Sequence, residues 1–172
     1  TMQVEAAGQE NAYVDTSSYE QLYKLYEDYF KLGIACQAMD HWNDPTAEIG
    51  NQEKEELINR MFNSMTFGNE LKPAYNFDAS SENLFKVDFA AEEMLEWAKE
   101  NNMKVRGHVL VWHSQVDPSI FAIDYQAYAD GKLTKSDTAK LDEECLVDRE
   151  ELLARLKRYI YGVLEYTYKN GY

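Results

Sequence analysis

Residues 104–115 read KVRGHVLVWHSQ. An apolar run that carries two histidines, a tryptophan and a glutamine at and beyond its end needs a reason. Read as a strand, it alternates: His108, Leu110 and Trp112 share one face, and Val109, Val111 and His113 share the other. A face that sets His beside Trp at the end of a buried strand is poor plain core. It suits a pocket that stacks on something flat and hydrogen-bonds it.

Working outward, the chain alternates strand and helix patterns. KLGIACQAM (31–39) and NSMTFG (63–68) are short apolar runs that read as two earlier strands. SSYEQLYKLYEDYF (17–30) places Tyr19, Leu22, Tyr23, Tyr26, Tyr29 and Phe30 at helical spacing, with Ser17 or Ser18 as cap. QEKEELINRMF (52–62) predicts a helix burying Leu57, Ile58, Met61 and Phe62. DFAAEEMLEWAKENN (88–102) predicts one capped by Asp88, with Ala90, Met94, Trp97 and Ala98 inward. DREELLARLKRYIYGVLEYTYKN (148–170) predicts a third, capped by Asp148 and stopped at Gly171, with Leu152, Leu156, Tyr159, Val163 and Tyr166 or Leu164 inward.

Three strands alternating with helices and near-continuous in apolar residues imply an α/β protein with a parallel sheet covered by helices. That leaves an open doubly wound sheet or part of a (β/α)8 barrel. No glycine-rich phosphate loop follows the first strand, which argues against a dinucleotide site. Polar residues gather just past the strands: Met39, Asp40 and His41; then Asn69, Glu70 and Lys72; then Trp112, His113 and Gln115. In barrels that end of the sheet is where sites are built. The connection from about 117 to 147 is also long against the roughly two to six residues usual for such loops. A long loop there favours a cleft.

Composition narrows the partners. The 172 residues fit one domain, and the formal charge is −14, from 17 basic and 31 acidic residues. That balance argues against nucleic acid or an anionic membrane. No run of eighteen apolar residues is present, so no membrane span is expected. Thirteen tyrosines and three tryptophans fit ordinary packing, and they also fit contact with the flat faces of sugars. Cys36 and Cys145 have no close spacing of the kind metal sites use, and their pairing stays open. His41, His108 and His113 were weighed as a metal set; in a strand His108 and His113 point to opposite faces, so no metal or cofactor is expected.

FNSMTFGNELK (62–72), followed by MLEWAKENNMKVRGHVLVWHSQ (94–115), resembles the family-10 glycoside hydrolases, the endo-β-1,4-xylanases. Two separate motifs stand in the right order and at the right distance, and DREELLARLKRYI (148–160) matches that family's third barrel helix. The resemblance implies a (β/α)8 TIM barrel, here about its first three βα units, with 1–18 as an N-terminal extension and 19–172 as the N-terminal part of the barrel. It implies xylan or xylo-oligosaccharides as substrate and retaining hydrolysis by two glutamates. Asn69 and Lys72 match positions that hydrogen-bond a xylose unit beside the cleaved bond. His108 and Trp112 match the residues shaping the same subsite, and Gln115 a neighbouring polar contact. Glu70 and His113 are secondary candidates.

The chain departs from the family pattern at three places. Gly68 stands where family members commonly carry Glu, in the pattern T-x-E-N. QVDPSIF (115–121) replaces Gln-Thr-Pro-x-Trp. The acid/base glutamate of the family sits on the fourth strand in Trp-x-x-x-Asn-Glu, and the nucleophile on the seventh; no catalytic residue is assigned in this chain. Taken alone it is expected to be inactive, in effect a carbohydrate-binding fragment or module. It is expected to need a complementary C-terminal barrel half, or self-association, because three strands leave two sheet edges unpaired. Secretion is expected, although no signal peptide is visible in TMQVEAAGQE (1–10).

Overall fold

A computed structural model describes residues 17–38, 44–125 and 145–172. The N-terminal extension before residue 17, the strand-end residues Met39, Asp40 and His41, and most of the long connection after the third strand lie outside the described residues.

Three parallel strands form one sheet in the order β1 (Gly33–Cys36), β2 (Ser64–Phe67), β3 (Lys104–Arg106). The register pairs Ile34 with Met65 and Met65 with Val105, and, one residue on, Ala35 with Thr66 and Thr66 with Arg106. Because side chains alternate along a strand, each register row lies wholly on one face. One face carries Cys36, Met65 and Phe67, all buried, and packs on helices. The opposite face carries Gly33, Ala35, Lys104 and Arg106, all exposed, with Ser64 and Thr66 partly so. Every second strand residue is small or polar, and within the described residues only one face is covered.

The covering helices follow their caps. In α2 (Gln52–Met61) the Asn51 side chain accepts from the Lys54 amide, and Ile58 is the buried residue. Leu57, expected inside, is exposed, while Phe62 packs partly against the core. A short α3 (Pro73–Asn76) starts on proline, whose missing N–H costs nothing at a helix start. In α4 (Phe89–Glu100) Asp88 accepts from Ala90, and Ala90, Ala91, Met94, Leu95 and Ala98 form the inner stripe against the sheet. Trp97 is only partly buried there.

The longest helix, α5 (Arg149–Asn170), is capped by Asp148 and ends at Gly171, where φ is +70°, a backbone conformation glycine adopts without a Cβ penalty. Its inward residues are Arg155, Tyr159 and Gly162. Leu164 points outward at 50% exposure, so Tyr166 is the inward alternative. Tyr159 packs with Leu84 and Phe85 in a second core cluster, its ring 6.0 Å from that of Phe85. An added Cβ on Gly162 would meet Phe85 Cβ at 2.7 Å, so glycine lets the helix approach the 83–85 segment. A groove of about 240 Å³ opens between Val105, Val109 and Leu110 on one side and Tyr159, Val163 and Thr167 on the other.

The first predicted helix is the main correction. Only α1 (Leu22–Leu25) is helical, Gln21 rather than a serine stands at its start without a side-chain cap bond, and none of its residues is buried. Tyr19, Leu22, Tyr26, Tyr29 and Phe30 are all exposed. A helical stripe forms a helix in a protein chiefly by burying that stripe; here the described residues give it little to pack on. No helix among the described residues is long and apolar enough to cross a membrane.

Candidate functional site: a polar and aromatic cluster past the strand ends

β3 ends at Arg106, two residues before His108. The strand alternation expected for 108–113 is thus corrected: these residues form an irregular segment in which neighbouring side chains gather. The His108 and Trp112 rings meet edge to face with centroids 5.6 Å apart, and Trp112 and His113 lie 4.4 Å apart. The indole is in contact with both imidazoles and remains 40% exposed. His113 therefore joins His108 at the same aromatic, against the opposite-face reading.

Further along the same segment, Gln115 joins Asn69 and Lys72 in one network. Asn69 Oδ1 accepts from Lys72 Nζ at 2.8 Å and from Gln115 Nε2 at 3.2 Å, and Lys72 Nζ also donates to Gln115 Oε1. Gln115 adopts a positive φ of 49°, and its carbonyl accepts from Ala74 N at 2.9 Å, which ties the loop after β3 to the start of α3. The Tyr75 phenol hydrogen-bonds the Gln115 side chain; burial above all raises its pKa. Tyr75 was missed in the sequence. Its signal was the spacing of three from Lys72 across a proline helix start, which puts both on one side of the first turn.

Glu70 holds the network rather than lining it. It is fully buried, and its carboxylate accepts from Ala38 N at 3.1 Å and from Asn69 N at 2.9 Å. The ends of β1 and β2 are thereby clamped, and Asn69 is presented outward. Asn76, also buried, donates to the carbonyls of Glu70 and Lys72 and accepts from Asp88 N, linking the site loop to the cap of α4. Arg155 anchors the segment following Gln115: its guanidinium donates to the carbonyls of Ile120 at 3.1 Å and Ala122 at 2.7 Å. Those carbonyls belong to or adjoin the short 3-10 turn Pro118–Phe121.

Chemically the segments past the strand ends offer a part-exposed indole, imidazoles, carboxamides and an ammonium. Groups of these types can stack on a flat ring and exchange hydrogen bonds with hydroxyls. Among the described residues no group of three or more His, Cys, Asp and Glu could hold a metal ion. Cys36 and Cys145 are both free thiols, one buried and one exposed.

Comparison with known proteins identifies the family. Residues 21–170 match the sequence model of Glycosyl hydrolase family 10. The chain is 32% identical over 154 residues to endo-1,4-beta-xylanase B of Butyrivibrio fibrisolvens, covering 84% of this chain and 21% of that one. Among solved structures, the endo-1,4-beta-xylanase of Caldicellulosiruptor owensensis matches with a TM-score of 0.60 at 28% identity, over 85% of this chain and 35% of that one. The xylanase 10B modules of Clostridium thermocellum, solved with xylohexaose, match with a TM-score of 0.64 at 28% identity, over 85% of this chain and 25% of that one. The chain thus spans a fifth to about a third of the length of these relatives.

Proposed function

Because this chain belongs to Glycosyl hydrolase family 10, whose sequence model covers residues 21–170, we propose that it supplies the sugar-binding wall of an endo-1,4-β-xylanase built on a (β/α)8 barrel. The observation that carries the reading is the Trp112 indole, 40% exposed, in ring contact with His108 and His113, and followed in the chain by Gln115 of the Asn69–Lys72–Gln115 network. Stacking on the indole orients a xylose ring; the carboxamides and the ammonium then exchange hydrogen bonds with its hydroxyls. A neutral substrate suits a chain of net charge −14, since no anion must be drawn in.

Retaining hydrolysis needs two carboxyl groups about 5–5.5 Å apart, one protonated to donate to the leaving oxygen and one ionised to attack. In this reading both glutamates come from later strands of the barrel. Glu70 is not one of them, because its oxygens are spent on two backbone amides inside the sheet. The role of this chain is to hold the sugar unit so that the scissile bond meets those carboxyls, which is where positioning lowers the barrier.

The open edge of β3 and the 240 Å³ apolar groove beside it, lined by Val105, Val109, Leu110 and Val163, suit a further strand that pairs with β3 and fills the groove. We assign that place to the complementary barrel half, with a second copy of the chain as the competing occupant. Polymeric xylan further implies action outside the cell. Reducing-sugar release from xylan tests the whole reading. The 172-residue chain should release none alone and should gain activity when the C-terminal barrel half of a family member is added. Release by the chain alone, or none after assembly, contradicts it.

A further inference from the structure

We infer that Gln37, at the end of β1, is a sugar-contacting and specificity-determining residue of the groove, its carboxamide lying over the space left by Gly68. The inference rests on the reading of the Trp112 patch as a xylose site and extends it to a residue on a different strand.

The placement follows from register. Cys36 pairs with Phe67 at the last rung of β1 and β2, and the ladder continues as Gly68 N donates to Cys36 O at 2.8 Å. Gln37 and Gly68 therefore stand side by side one step further on. By strand alternation they share the face of Ala35, Thr66 and Arg106, which no helix covers among the described residues.

Glycine at 68 is what makes room. A Cβ there would lie 2.8 Å from Gln37 Cγ and 3.0 Å from Gln37 Nε2, closer than packed atoms tolerate, so any larger residue would push the Gln37 side chain away. Gly68 immediately precedes Asn69, whose side chain opens the polar network. The Gln37 backbone is held on both sides: its amide donates to Glu48 Oε2 at 3.0 Å, and its carbonyl accepts from Glu48 N and Ile49 N. Its side-chain carboxamide, by contrast, has no hydrogen-bond partner among the described residues and is only partly buried. A carboxamide offers two donors and an acceptor. A rigidly held backbone that presents an unengaged carboxamide over Gly68, the residue before Asn69, is a ready contact for the hydroxyls of a sugar ring.

The test is titration of the chain with xylotriose, read by Trp112 fluorescence and calorimetry. Gln37→Ala should weaken binding about five- to twentyfold, the range of one to two neutral hydrogen bonds. Gln37→Glu, of the same size, loses both donors and should weaken it as well. Gly68→Ala should weaken binding in the wild-type background by displacing the carboxamide, yet add nothing in a Gln37→Ala background, because the two act through one group. The inference is overturned if Gln37→Ala and Gln37→Glu both bind within twofold of wild type while Trp112→Ala abolishes the response; the xylose reading would then stand without Gln37. It is equally overturned, together with that reading, if the wild-type chain shows no response to xylotriose.

Discussion

Trp112 lies edge to face against His108, ring centroids 5.6 Å apart, although the strand that leads to them stops at Arg106. The pair is made by an irregular segment rather than by strand alternation, and that segment also brings the His113 ring to 4.4 Å from the indole. An aromatic in contact with two other rings is held in place, so a flat ligand docking on it would cost little freedom.

The first expectation follows directly. Trp112→Ala should lower affinity for xylo-oligosaccharides at least about tenfold, roughly 1.4 kcal/mol, since an aromatic face contributes both buried area and a specific geometry. Calorimetric titration measures it. An unchanged affinity would remove the aromatic platform from the reading.

Arg155 is 3% exposed, and its guanidinium is tied to Glu151 and to the carbonyls of Ile120 and Ala122. Arg155→Met keeps the stem and strands those buried acceptors. It should cost about 3 kcal/mol in urea unfolding, within the range for breaking a buried charged contact. A loss under about 0.5 kcal/mol, the scatter of ordinary surface substitutions, would mean that the anchor is dispensable.

Gly162 sits inside α5, where alanine usually gains about 1 kcal/mol of helix propensity. Here its Cβ would meet Phe85 Cβ at 2.7 Å and Asn83 Cγ at 3.0 Å. Overpacking of that kind costs about 1–3 kcal/mol, so Gly162→Ala should destabilise on balance. A higher melting temperature in the variant would show that the 83–85 segment yields freely.

Burial, with Glu48 and Glu70 adding to it, pushes the Cys36 thiol up from 9.0 to about 12. The native state then keeps a proton that the unfolded chain gives up above about pH 9. The contribution to stability is complete below pH 9 and is lost as pH rises from about 9 towards 12, and the raised phenols of Tyr159 and Tyr166 act in the same direction. Unfolding midpoints should therefore fall across that window, and less steeply in Cys36→Ala. A thiol reagent at pH 8 should label one cysteine of the native chain, the exposed Cys145, and two after unfolding. Rapid native labelling of both would contradict the burial of the Cys36 thiol.

Much of this was legible one residue at a time. Asp88 and Asp148 cap their helices and Gly171 ends α5 because capping needs only a side-chain oxygen, or a missing Cβ, at the right step of the local chain. The β2 run 64–67 and the Asn69–Lys72–Gln115 grouping could be named because strand-end polarity is a local pattern. The helix expected over 17–30 failed for the opposite reason: its stripe of tyrosines is a local signal whose outcome depends on a surface elsewhere.

The sequence by itself determined the three strands of a parallel sheet, the ends of the helices capped by Asp88 and Asp148, and the residue types past the strand ends, because spacing and capping act over a few residues. Only the tertiary structure decided that Glu70 turns inward as a clamp, that His113 shares Trp112 with His108, that Arg155 pins the loop beyond Gln115, and that Gln37 lies over Gly68. Each of these depends on which backbone comes alongside which, and distances between separate strands and helices are set by packing rather than by any single stretch of the chain.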